Sequence, residues 1–174
     1  TITQTAGVIT ADLLNTTSDG GTDLSSLTNV VDAFTAVNTG VSAVKLNNNS
    51  DDSILEVAIS NASGTIDITE ADAIAVTGAT AGTTVTLAAG GTITQTAGVI
   101  PAHLLNWPSH RATHLSSLTT VVHAFTAVNT GVSAVNLNNN SDDSILEVAI
   151  SNASGTIDIT SADAITVTGA TTGT

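Results

Sequence analysis

Apolar and polar residues alternate with period two through most of this chain, in runs too short for anything but strands. The runs "SILEVAI" (53–59), "TIDIT" (65–69) and "TTVTL" (83–87) carry Ile, Leu or Val at every second position and are rich in residues that suit a pleated, half-buried surface. Turn clusters of Gly, Asn, Asp and Ser, such as "NTG", "NNNSDD", "NASG", "TGATAG" and "AAGG", close them. No helix of ordinary length fits between these turns, so the pattern predicts an all-β fold.

The pattern is written twice. "TITQTAGVI" begins at residue 1 and again at residue 92, and "SDDSILEVAISNASGTIDIT" begins at residue 50 and again at residue 141, a period of 91. Residues 1–83 and 92–174 agree at 69 of 83 positions. Short strands over a long internal period predict a solenoid, in which successive coils bury one face of each strand in a narrow shared interior. A β-sandwich is the competing architecture, but a duplicated whole number of coils keeps every neighbour's packing, whereas 91 residues make an incomplete sandwich. About nine strands per period, at three per coil, predict three coils per copy. The expectation is a right-handed parallel β-helix of about six coils, with 1–91 and 92–174 as two repeats of one continuous domain.

Composition narrows the chemistry. Aromatics are 2 % and cysteine is absent, so the core is aliphatic, and neither disulfides nor thiolate metal sites are available. Fifteen acidic residues against two basic ones give a net charge of −13, which argues against nucleic acid and anionic lipid as partners. No apolar run approaches the ~20 residues of a membrane-spanning helix, and the first residues have no signal-peptide pattern. Thr174 corresponds to Thr83, and neither terminus has the polar cap that protects solenoid edges. The expectation is a segment within a longer fibre, stacking end to end on other solenoid segments.

The stretches "TTVTLAAGGTITQTAGVI" (83–100), "TDLSSLTNVVDAFTAV" (22–37) and "ADAIAVTGATAGTTVTL" (71–87) resemble repeats of filamentous-haemagglutinin-like exoproteins. That resemblance implies a right-handed parallel β-helix serving as a structural or adhesive stalk in a large secreted or surface-exposed bacterial protein. Its partners would be host surface glycans or proteins. It implies no shared catalytic residues and no enzyme activity.

Residues 102–126, "AHLLNWPSHRATHLSSLTTVVHAFT", hold all four histidines, the one tryptophan and the one arginine. Each histidine stands where the first copy has aspartate: Asp12 becomes His103, Asp19 becomes His110, Asp23 becomes His114 and Asp32 becomes His123. Imidazole suits zinc, copper or nickel, whereas carboxylate suits calcium or magnesium. With Ile100, Ala102, Leu104 and Leu115 inward, His103, His110 and His114 would converge outside one corner as a zinc site, with His123 on another face. Arg111 opposes that site by its charge. Nine of the ten differences between residues 10 and 32 and their counterparts also need only one purine-to-C base change, so a mutational bias accounts for four histidines without a metal.

Asp19 and Asp23 in "SDGGTD" are calcium candidates, as are the "NNNSDD" turns at 47–52 and 138–143, although residues of these types also form turns unaided. Ser116, Ser117, His114, Asp142 and Asp143 can be assembled into a hydrolase triad on paper, but no Gly-x-Ser-x-Gly nucleophile turn is present. Outward threonines raise ice binding, which needs a Thr-x-Thr unit in the same place on every coil. "SILEVAI" and "VSAVKL" interrupt such a series.

Overall fold

A computed structural model describes residues 1–50, 54–141 and 145–169, apart from the side chains of residues 116–119. Among the described residues are fifteen strands and no helix. Every paired strand is parallel to its partner. The protein is a parallel β-solenoid.

Its strands form two stacks. The first rises through Ile2–Thr3, the start of Thr22–Asn38, Val44–Asn48, Thr65–Glu70, Gly82–Ala89, Pro101–Ser109, the second half of Thr113–Asn129, Ile145–Asn152 and Ala164–Val167. The second rises through Thr10–Ser18, the rest of Thr22–Asn38, Ile54–Asn61, Ala73–Val76, Ile93–Gln95, the start of Thr113–Asn129, Val135–Asn139 and Ile157–Ser161. Thr22–Asn38 and Thr113–Asn129 bend round a corner and belong to both, with register shifts between Leu24 and Asn29 and between Leu115 and Thr120.

Each coil therefore has two faces, not three. One turn carries the chain from Ile66 to Val85 where the coil is tightest, and from Phe125 to Val148 where it is widest. The chain makes about eight such coils, where three strands per coil had led to an expectation of six. The 91-residue period is thus four and a half coils. Leu14 lies in the second stack against Phe34, while its counterpart Leu105 lies in the first, between Val85 and Phe125. The second copy is turned half a coil relative to the first, so equivalent side chains appear on opposite faces.

The half-coil offset is tolerated because the interior is uniform. One inward column reads Val44, Ile66, Val85, Leu105, Phe125, Val148 and Val167, and it crosses the boundary between copies without a break. All but Val167, on the last coil, are buried. Burying such side chains stabilises the fold by about 1.5–3 kcal/mol each. Their inner faces form one continuous aliphatic cluster from Leu24 to Ile150, which also encloses Trp107.

Candidate functional site

Alternation places some polar residues in the inward phase, and these form hydrogen-bonded ladders at the corners. Asn38 donates Nδ2 to Asn61 Oδ1 at 2.8 Å, and their counterparts Asn129 and Asn152 repeat the contact at 2.9 Å. At another corner Gln4 and Asn29 exchange amide hydrogen bonds, and Asn48 holds the backbone of Val31 through both its Oδ1 and its Nδ2. Asn48 also donates to Glu70, a carboxylate 2 % exposed that accepts from the backbone N–H of Ser50 and Asp72 as well. Sequence reading missed Glu70 and the asparagine ladder. The available signal was phase: Asn38 has the parity of buried Ala36, and Glu70 that of buried Ile68.

Most of the residues that differ between copies are not buried; Thr16, Gly21, Asn29 and Glu70, which become Trp107, Ala112, Thr120 and Ser161, are the buried exceptions. One outward column of the first stack reads Thr3, Asp23, Lys45, Asp67, Thr86, Asn106 and Thr126. Asp23 accepts hydrogen bonds from Ser25 Oγ at 2.6 Å and Ser25 N at 3.1 Å. These bonds, led by the hydroxyl and joined by the charge of Lys45, outweigh a small desolvation and hold its carboxyl below the ordinary aspartate value. In the second copy the neighbours Asp23 and Lys45 become His114 and Asn136, which stay in register and hydrogen-bond through His114 Nδ1 at 3.0 Å. Both members of the contact changed together.

The histidines separate rather than converge. The expected trio of His103, His110 and His114 spans opposite parts of a coil: His103 is on the first stack and His114, further along the same coil, is on the second. His110 sits in the turn after Ser109, at the opposite end of the strand from His103 and about 23 Å from it when extended. There its Nδ1 lies 3.2 Å from Thr130 Oγ1, as Asp19 pairs with Thr39 in the first copy. His123 is instead the neighbour of His103, one coil above it, with ring centroids 4.7 Å apart and planes at 88°. Leu104, expected inward, is half-buried, and Leu105 takes the core position, because the alternation slips by one residue at 103–104. Among the described residues no group of three or more His, Asp or Glu is gathered closely enough to hold a metal.

The other candidates are similarly distributed. Asp19 is spent on Thr39 and Asp23 on Ser25, with Lys45 in register beside Asp23. Asn48 of "NNNSDD" points inward to Glu70, while residues 51–53 and 142–144 lie outside the described residues. The paper triad of Ser116, Ser117, His114, Asp142 and Asp143 rests on side chains that are likewise undescribed, His114 excepted. Thr-x-Thr rows do not recur at one place on the first stack, where Asp23, Lys45 and Asp67 interrupt the threonine column.

The chain matches no protein-family model, no curated protein and no solved structure.

Proposed function

We propose that this chain is a stiff spacer: a structural or adhesive stalk segment of a large secreted or surface-exposed bacterial exoprotein of the filamentous-haemagglutinin-like kind. The observation that carries the reading is the inward column from Val44 to Val167, which passes from one copy into the next without a break in strand register. A repeat whose junction equals its interior extends by duplication and acquires no hinge. Its outward positions are free to vary, and there the two copies differ most in charge. Host surface glycans or proteins are the partners such outward residues would meet.

Stalk length gives the test. Four and a half coils at ~4.8 Å each lengthen a rod by about 22 Å per copy. Tandem chains of two, four and six copies, measured by small-angle X-ray scattering, should increase in maximum dimension by that step at constant cross-section. Growth as a compact globule, or a flexible-chain profile, would refute the stalk. Binding of the tandem chains to a glycan array and to host-cell surface proteins tests the adhesive part.

A further inference from the structure

We propose that His103 and His123 form a two-imidazole site for a borderline divalent cation, zinc being the probe of choice, on one face of the solenoid. This goes beyond the stalk reading and does not depend on it. The two residues occupy equivalent positions on adjacent parallel strands, fixed by the flanking pairs Ala102–Val122 and Leu104–Ala124. Their ring centroids are 4.7 Å apart. Two imidazoles bound to one zinc through Zn–N bonds of about 2.1 Å, at angles between square and tetrahedral, place their centroids about 5 Å apart. Backbone register therefore supplies the spacing, and only side-chain rotation is left. The perpendicular ring planes are no obstacle, because each ring turns freely about its metal–nitrogen bond.

The surroundings leave room for the ion. His103 is exposed, and both histidines line a groove with Ala81, Gly82 and Pro101. Arg111, adjacent in sequence to the other expected ligands, lies past the far end of the strand from His103, about 26 Å away when extended. Its charge does not bear on this pair. In the first copy the same positions are Asp12 and Asp32, which line one groove together on the opposite stack. The coil stacking that brings Asp12 and Asp32 together in the first copy brings His103 and His123 together in the second, whatever the origin of the aspartate-to-histidine changes.

The experiment is a zinc titration of the whole chain, followed through the four imidazole signals by NMR. His103 and His123 should respond together, saturating at one zinc per chain, with His110 and His114 responding only at concentrations at least tenfold higher. His103→Ala and His123→Ala should each weaken binding tenfold or more, while His110→Ala and His114→Ala should change it less than twofold. Far-UV circular dichroism confirms that each variant is folded. A gain-of-site variant, Asp12→His with Asp32→His, should raise the stoichiometry to two. The proposal is overturned if all four imidazoles respond over the same concentration range, if His103→Ala binds within twofold of the parent, or if the double variant still binds one zinc.

Discussion

Replacing the glycine of "TITQTAGVI" by alanine in each copy isolates what one coil contributes to the next. Gly7 and Gly98 have φ of 74° and 73°, and each turn is closed by the preceding glutamine, Gln4 Nε2 donating to Gly7 O and Gln95 Nε2 to Gly98 O. Local sequence and conformation are the same. The surroundings are not: a Cβ at Gly7 meets nothing within 4 Å, whereas at Gly98 it would lie 2.2 Å from the Gly78 carbonyl carbon and 2.4 Å from Ala79 N. Left-handed φ costs alanine roughly 1–2 kcal/mol, partly offset by about 0.4–1 kcal/mol from a less flexible unfolded chain. Gly7→Ala should therefore lose about 1 kcal/mol. At Gly98 the backbone of the coil below must also move, and such overpacking costs about 1–3 kcal/mol more. Urea unfolding followed by Trp107 emission, with far-UV circular dichroism alongside, reads both losses. Trp107 is the chain's one tryptophan and is fully buried. Equal losses for the two variants would refute turn-on-turn stacking of consecutive coils at this corner.

Three further outcomes follow from the site geometry. Glu70→Ala leaves Asn48 Nδ2 and the N–H groups of Ser50 and Asp72 without their acceptor, and at about 1–3 kcal/mol per orphaned buried group should lower urea stability by roughly 2 kcal/mol or more; a loss below about 1 kcal/mol would mean that water replaces the carboxylate. Asp23 has a depressed folded pKa, so its contribution is present above the unfolded value near 3.9 and fades as pH falls through the folded one. Asp23→Asn should thus lower the melting temperature at pH 7 by an amount that shrinks as pH falls below the unfolded value, and a drop of the same size throughout an acid titration would exclude the ionised form as the cause. Trp107 buries an indole N–H that has no partner among the described residues, so Trp107→Phe, which loses volume but removes an orphan donor, should change stability by no more than about 1 kcal/mol in a circular dichroism melt.

Fold class was legible because period-two alternation over short runs leaves little else for the chain to become, and the 91-residue period pointed to stacking. Coil length was not, for two physical reasons. The coil is uneven, longer from Phe125 to Val148 than from Ile66 to Val85, and this unevenness blurs any shorter period in the sequence. Thr22–Asn38 also reads as two strands separated by "SSLT", yet it is one strand bent round a corner and shared by both stacks. The histidine geometry failed with the coil length. Once Pro101 stacks under Val121 in a coil of two faces, positions 103 and 123 must stack and position 114 must face away. Of the calcium candidates, Asp23 and Asn48 accept hydrogen bonds from neighbouring backbone donors, a competition that composition does not reveal.

A period of four and a half coils has a consequence that a whole number would not. In a two-faced solenoid both stacks present aliphatic columns to the interior, so a duplication joins correctly after any half coil as well as after any full one. A half-integral unit places each copy's outward residues on alternate faces: Asp12 and Asp32 on the second stack, His103 and His123 on the first. A substitution confined to one copy then alters one face only, and identical faces return after two copies, or nine coils. The interior demands continuity and receives it from Val, Ile and Leu. The exterior inherits an alternation of sides that lets one duplicated sequence carry aspartate pairs on one face and histidine pairs on the other.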